Sequence, residues 1–207
     1  MSHSNIAGKI VVLGPSGSGK GTQAKMIARK YRWQHVSMGQ LFRDEIEAKT
    51  KLGKQAKEFI EKGLWASLEL TMTILEPELK QVINSGFVLD GFPRSFDQIK
   101  ALRDLLVKFG TDIDIVFHLD IRPAVIMARR KAHWAKGKSF YKEGQRSDET
   151  EESIKNRFAE YKKNLGPILA FYQDQGILRR INGERPIGPI FRDIVTIIDN
   201  RFFKKDD

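Results

Sequence analysis

The residues whose types and spacing are most suited to chemistry form one glycine-rich segment, GPSGSGKGT, at positions 14–22. Glycines carry no Cβ, so backbone N–H groups in such a segment can converge on an anion, and a lysine adds a positive point charge. This combination is typical of loops that bind the phosphates of a nucleotide. The position after the lysine, where Ser or Thr is usual, is a glycine, and the hydroxyl arrives one residue later. The candidate phosphate-binding residues are Gly17, Ser18, Gly19, Lys20, Gly21 and Thr22.

The segments on either side of the glycines predict the elements that would position them. An apolar run at 10–13 precedes the glycines and predicts a strand, and a helical pattern at 23–30 follows them. Strand, glycine loop, lysine and helix is the context that a phosphate-binding loop requires, and the positive end of the helix adds attraction for anions. A plain glycine turn with a solvated lysine would have a similar composition. The flanking strand and helix favour binding of a nucleoside triphosphate instead.

A second group of candidate residues follows another buried apolar run. The string DGFPRSFDQ occupies positions 90–98, directly after the predicted strand at 86–90. Ligands of parallel α/β sheets bind beyond the carboxyl ends of strands, where Asp90 can hold Mg²⁺ through water. Arg94 can grip a phosphate with two N–H groups, and Gln98 offers an amide to a base edge. Taken alone, the same residues could equally be a helix cap and a surface charge.

Strands and helices are predicted to alternate along the whole chain. Further strands are expected at 33–37, 113–119 and 177–181, and a long helix at 149–175 is expected to be interrupted near Gly166-Pro167. This alternation predicts an α/β fold with a parallel sheet of about five strands covered by helices on both faces, of the P-loop NTPase type. The helical block at 38–85 is too long for a simple crossover, so it predicts an inserted lobe. Residues 130–147 predict a second, smaller insertion.

Composition narrows the classes of protein that the chain can represent. The 36 Lys and Arg residues exceed the 26 Asp and Glu residues by ten, which suits either nucleic acid or small polyanions. Cysteine is absent, so we expect no disulfide and no cysteine-ligated zinc site. No stretch is long and apolar enough to predict a signal peptide or a membrane span. We therefore expect a soluble, cytoplasmic protein without a membrane partner.

Taken together, these motifs resemble the adenylate kinase family of nucleoside monophosphate kinases. The loop GPSGSGKGTQ at 14–23 is similar to the family's loop, including its Gly-Thr ending, and DGFPR with Gln98 is similar to its acceptor-nucleotide signature. VSMGQLFR at 36–43 resembles the segment that opens the acceptor lobe, and RSDE at 146–149 with Arg157 resembles the end of the lid. NGERP at 182–186 resembles the loop beside the donor adenine. The resemblance covers about residues 8–200.

The resemblance implies reversible transfer of the γ-phosphoryl group from Mg²⁺-bound ATP to AMP, giving two ADP, by a monomer. It implies one kinase domain with a core at 1–36, 67–128 and 148–207, an acceptor (NMP-binding) lobe at 37–66 and a lid at 129–147. The implied catalytic cations are Lys20, Arg94, Arg129, Arg146 and Arg157. The implied acceptor-binding residues are Ser37, Met38, Arg43, Leu64, Trp65, Ala66, Gly91, Phe92, Pro93, Arg94, Gln98, Arg146 and Arg157. The implied ATP-binding residues are those at 17–22 together with Arg129, His133 and Arg185, and Asp90 would hold Mg²⁺ through water.

Several positions depart from the family's pattern. Met38 stands where the family has Thr, Gln40 replaces an acid, and Phe42 replaces a smaller residue. The family's Leu-Val-Pro-Asp-Glu string appears here as WASLE at 65–69. His133 stands where a phosphate-binding arginine is common. Gln98 favours adenine as the acceptor base, but these departures leave a kinase of the UMP/CMP type as an alternative. The basic balance, with aromatic residues at 134, 140 and 141, leaves a second alternative, an ATP-binding factor associated with RNA.

Overall fold

Five parallel strands form one sheet in the computed structural model, which describes residues 6–61, 64–134 and 151–203. The strands are β1 (Lys9–Leu13), β2 (Gln34–Ser37), β3 (Phe87–Asp90), β4 (Ile115–Asp120) and β5 (Leu178–Asn182). Their order across the sheet is β2-β3-β1-β4-β5, and every neighbouring pair is parallel. The predicted fold class is confirmed.

Eight helices are described around this sheet. They are α1 (Lys20–Tyr31), α2 (Met38–Glu47), α3 (Lys51–Glu61), α4 (Leu68–Val82), α5 (Phe96–Lys108), α6 (Pro123–Trp134), α7 (Glu151–Asp174) and α8 (Ile187–Phe202). Hydroxyls cap two of them, because Ser67 accepts from the N–H of Leu70 and Ser95 from that of Gln98. No helix in the described ranges is both long enough and apolar enough to cross a membrane.

The expected interruption of α7 near Gly166-Pro167 was wrong. Helix α7 is continuous from Glu151 to Asp174, with Pro167 inside it. A proline removes one backbone donor and strains the preceding turn. Its two following neighbours, Ile168 and Leu169, are both buried in the hydrophobic core. Burial of these side chains stabilises the continuous helix against the local preference of proline.

Alternate residues of β1 enter two different hydrophobic clusters, one on each face of the sheet. Val11 and Leu13 pack in the cluster that also contains residues of α4, α5 and α7. Ile10 and Val12 pack in the opposite cluster, with residues of α1 and α8. Because both faces are covered by helices, ligands can reach the sheet at its carboxyl edge. The parallel register brings the strand ends together there, with Asp90 paired to both Val12 and Ser37.

The close approach of α2 and α3 depends on a glycine. A Cβ at Gly53 in α3 would clash with the backbone carbonyl of Glu45 in α2. We therefore expect Gly53→Ala to lower the free energy of unfolding by about 1–3 kcal/mol or more, since this is the usual cost of overpacking. Urea denaturation would measure this change. As a control, Gln55→Ala at an exposed position of the same helix is expected to change stability by less than about 0.5 kcal/mol. Equal stabilities of the two variants would contradict the prediction.

Candidate nucleotide-binding site

The glycine loop joins the end of β1 to the start of α1. Gly17 and Gly19 have φ values of 86° and 89°, in the left-handed region that favours glycine. Inside the loop, the N–H of Ser18 donates to the carbonyl of Pro15 at 3.1 Å. Gly19 is the N-cap of α1 and has no side chain with which to cap the helix. The start of α1, with Lys20 as its first residue, is therefore suited to capping by an anion such as phosphate.

A cavity of about 690 Å³ opens beside this loop, within the usual size of a small-molecule site. Lys20 comes from α1, Ser37 ends β2, and Arg43 projects from α2. The cavity thus gathers residues from elements far apart in sequence. The predicted site residues that line it are Lys20, Ser37, Arg43, Leu64, Trp65, Ala66, Asp90, Gly91, Pro93, Arg94 and Arg157.

Other predicted residues lie next to this cavity without lining it. Met38 and Phe92 are each 1% exposed and belong to the hydrophobic core. Gln98 is also buried, and its Oε1 accepts a 2.7 Å hydrogen bond from the backbone N–H of Arg94. The loop residues Gly17, Ser18, Gly19, Gly21 and Thr22 flank Lys20 outside the described cavity wall.

Asp90 is a buried carboxylate at the end of β3. Its Oδ2 lies 3.4 Å from the hydroxyl of Ser37 and 3.6 Å from Nε2 of His35. Burial raises the pKa of Asp90, but contact with His35 and the positive charges of Lys20 and Arg94 outweigh burial and hold the pKa below its usual range. The group is therefore a carboxylate at neutral pH.

The surroundings of Asp90 fit a hydrated magnesium ion. Its Oδ1 is buried without a hydrogen-bond partner among the described residues, so a hard oxygen is placed where a metal-bound water could donate to it. A Cβ at Gly21 would come within 3.1 Å of Oδ2, which places the start of α1 against the carboxylate. In the described part of the chain, no group of three or more His, Asp or Glu side chains could hold a metal directly.

The charge of the cavity wall is predominantly positive. Its described lining carries five cations, Lys20, Arg43, Lys57, Arg94 and Arg157, and two carboxylates, Glu47 and Asp90. Such an excess of positive charge attracts polyanionic ligands. Three arginines can also bind phosphate through two parallel N–H groups, which fixes its orientation as well as its position.

The arginines of this wall are held by contacts within the protein. Arg43 donates from Nη2 to Oε1 of Gln40 at 2.7 Å, and Gln40 in turn donates from Nε2 to Asp44 at 2.6 Å. Arg157 donates from Nη2 to the carbonyl of Ile60 at 3.5 Å. Gln40 therefore supports an arginine at the position where the family pattern has an acid.

The other predicted cations, Arg129 and Arg185 among them, do not line the described cavity wall. Arg129 of α6 donates to the backbone carbonyls of Gly183, Glu184 and Arg185, at 3.0, 2.9 and 3.2 Å. Arg185 forms an ion pair with Asp193. These contacts attach α6 to the loop between β5 and α8, the loop that the resemblance places beside the donor adenine. The side chain of His133 and the whole of Arg146 lie outside the described residues, as does most of the predicted lid.

Among the residues that line the cavity, Lys57 and Tyr161 carry polar groups but were not predicted as site residues. The hydroxyl of Tyr161 is buried without a hydrogen-bond partner among the described residues, and its ring stacks on the buried His118 at 6.5 Å. Burial, together with the charge of Asp120, raises the pKa of Tyr161. Its spacing was a usable signal, because residues four apart on a helix share a face and Tyr161 follows Arg157 by four.

The parallel sheet, the glycine loop before α1 and the cation-lined cavity at the carboxyl edge define a P-loop nucleotide-binding protein. Comparison with known proteins agrees with this class. The family model described as Adenylate kinase matches residues 12–177. The chain belongs to the adenylate kinase family.

Bacterial relatives match the chain over nearly its whole length. An adenylate kinase of Agathobacter rectalis is 36% identical over 211 aligned residues, which cover 92% of this chain and 99% of the relative. An adenylate kinase of Oceanobacillus iheyensis is 36% identical, with 93% of this chain and 99% of the relative covered. One from Bacillus cytotoxicus is 36% identical, with 91% and 97% covered.

Proposed function

We propose that this chain catalyses the reversible transfer of the γ-phosphoryl group from Mg²⁺-bound ATP to AMP, giving two ADP. The observation that carries the proposal is the convergence of Lys20, at the start of α1, with Arg43, Arg94 and Arg157 on one cavity. Two nucleotides that meet end to end bring many negative charges together. A wall of fixed cations at the meeting point is what such a reaction needs.

The proposed phosphoryl transfer depends on holding the two nucleotides in place and on stabilising their negative charge. Phosphoryl transfer spreads negative charge over the oxygens of the transferred group, and fixed cations stabilise that charge where it develops. Lys20 is placed for the β- and γ-phosphates, and Arg43 and Arg94 for the acceptor phosphate. The attacking phosphate oxygen is already ionised, so no general base is required. Arg129, Arg146, Arg157, Arg185 and His133 complete the proposed contacts to the two nucleotides.

Magnesium fits this site through Asp90, and when bound it would neutralise charge on the β- and γ-phosphates. Asp90 would hold the ion through a metal-bound water, since its Oδ1 is buried without a hydrogen-bond partner among the described residues. Ser37 donates a hydrogen bond that orients this carboxylate, and His35, Lys20 and Arg94 keep it ionised. The cofactor in our proposal is therefore Mg²⁺ carried with ATP.

Exclusion of water is the second requirement, because water would turn transfer into hydrolysis. We assign residues 37–66 to a lobe that binds the acceptor and residues 129–147 to a lid over the donor. Closure of both lobes over the bound nucleotides would remove water before transfer. We further propose that the protein is a monomer and acts in the cytoplasm.

The test is formation of ADP from ATP and AMP by the purified protein, measured by a coupled assay. We expect ADP to form at two molecules per AMP consumed, with little ATP hydrolysis when AMP is left out. A panel of AMP, CMP, UMP, GMP and dAMP would then identify the acceptor. Turnover with CMP or UMP but not with AMP would contradict the acceptor while keeping the enzyme class. Absence of turnover with every acceptor would contradict the proposal as a whole.

A further inference from the structure

Trp65 is an aromatic side chain beside Arg94, one of the proposed acceptor cations. It lies between α3 and α4, is partly buried, and lines the cavity. Its ring centroid is 5.6 Å from the guanidinium carbon of Arg94. This distance is within the range over which an aromatic ring attracts a cation. The family pattern places an aliphatic residue here, and such a side chain cannot make this interaction.

Two hydrogen bonds also hold Arg94, one at its backbone and one at Nε of its side chain. Its N–H donates to the buried amide of Gln98 at 2.7 Å, and its Nε donates to the carbonyl of Gly91 at 2.6 Å. These contacts fix the backbone of Arg94 and the Nε of its side chain. The planar head of the guanidinium binds phosphate and also stacks well on aromatic faces. The ring of Trp65 acts on that head.

We propose that Trp65 is a positioning residue that holds the guanidinium of Arg94 toward the acceptor phosphate. The inference rests on the proposed function, since it assigns Arg94 to an acceptor that carries a phosphate. An arginine side chain loses rotational freedom when it binds, and a cation that is already held loses less. The ring therefore strengthens acceptor binding without touching the reacting atoms. This role differs from the contact with the acceptor base that the family resemblance implies for Trp65.

The two roles predict different dependence on the ligand. If the ring acts through Arg94, Trp65→Leu weakens binding of AMP and leaves binding of adenosine, which has no phosphate, unchanged. If the ring instead contacts the base, the same substitution weakens both ligands. Trp65→Phe keeps an aromatic face at this position and serves as the matched control.

The experiment is a double-substitution cycle on the dissociation constant of AMP, measured by calorimetry. We expect Trp65→Leu to raise that constant about three- to thirtyfold, as a cation–aromatic contact would. Trp65→Leu should leave the KM for ATP constant. Trp65→Phe should keep the dissociation constant of AMP within about twofold of that of the parent protein. In an Arg94→Ala background, Trp65→Leu should cause no further loss. The inference would be overturned if Trp65→Leu caused the same loss of AMP affinity in the Arg94→Ala background as in the parent protein. An equal loss of AMP affinity for Trp65→Phe and Trp65→Leu would also overturn it.

A second measurement separates this inference from the proposed function. In the protein without nucleotide, Arg94→Ala should change the tryptophan fluorescence of the parent protein but not that of Trp65→Phe. This result needs no turnover and no AMP. An inactive protein that shows the fluorescence change would keep the contact and refute the kinase proposal. An active protein without the change would refute the contact alone.

Discussion

Replacement of Lys20 by alanine is expected to lower kcat for ADP formation by about 10²–10³, the usual cost of removing one fixed group that stabilises transition-state charge. Lys20 begins α1 and lines the cavity next to Gly14 and Ser16 of the loop. In the proposed reaction its ammonium would meet the β- and γ-phosphates, whose charge is redistributed as the phosphoryl group moves. No second lysine of α1 reaches the described cavity wall, so compensation within the helix is not expected.

A matched control for this variant lies on the same helix. Lys25 is exposed and does not line the described cavity, so Lys25→Ala removes the same charge at a distance from the site. We expect Lys25→Ala to keep kcat within about twofold of the parent protein, since surface charges have small effects. Steady-state rates at saturating ATP and AMP would measure both variants. Equal rates for Lys20→Ala and Lys25→Ala would show that Lys20 does not contribute to transfer.

The glycine loop and Asp90 were predictable because local sequence determines them. A strand, a glycine turn and a helix are adjacent in the chain, and an acid that ends a parallel strand must lie at the carboxyl edge. The departure at Gly21 has an explanation that only the structure supplies. A side chain at Gly21 would crowd Oδ2 of Asp90, a residue 69 positions away (90 − 21). Local sequence patterns do not show such a restraint between residues that are distant in the chain.

The direction of buried side chains was harder to predict. Met38 and Gln98 were both expected beside the acceptor, since each lies within a motif segment of the right kind. In the structure, Met38 packs in the hydrophobic core and Gln98 supports the backbone of Arg94, and the contact of either residue with an acceptor stays a prediction. Helix phase decides which face of α2 and α5 such residues occupy, and the first turn of a helix leaves that phase poorly defined from sequence.

The continuity of α7 and the contact between Trp65 and Arg94 are two features that local sequence patterns do not predict. Proline at position 167 predicts a break from local propensity, yet burial of the adjacent Ile168 and Leu169 stabilises the helix. Trp65 and Arg94 meet only because α4 returns the chain to the end of β3. Both features depend on tertiary packing, which single-sequence patterns do not contain.

The effect of Asp90→Asn should be next in size after that of Lys20→Ala. We expect kcat/KM for ATP to fall about 10- to 100-fold, the range found when an outer partner of a metal's ligand is lost. Asparagine keeps the shape of the side chain but removes the negative charge. The pKa of Asp90 is held low by His35, Lys20 and Arg94 despite burial, so this charge is present at neutral pH in the parent protein. The magnesium concentration for half-maximal rate should rise as well.

The measurement is the rate of ADP formation against magnesium concentration, at fixed ATP and AMP. Asp120→Asn provides the control, because Asp120 also ends a strand, β4, but does not line the described cavity. Its magnesium dependence should match that of the parent protein. Binding of AMP without magnesium should be similar in all three proteins, which separates a metal effect from a loss of folding. If Asp90→Asn keeps the magnesium dependence of the parent protein, the metal is held elsewhere and the charge of Asp90 serves the arrangement of Lys20 and Arg94 instead.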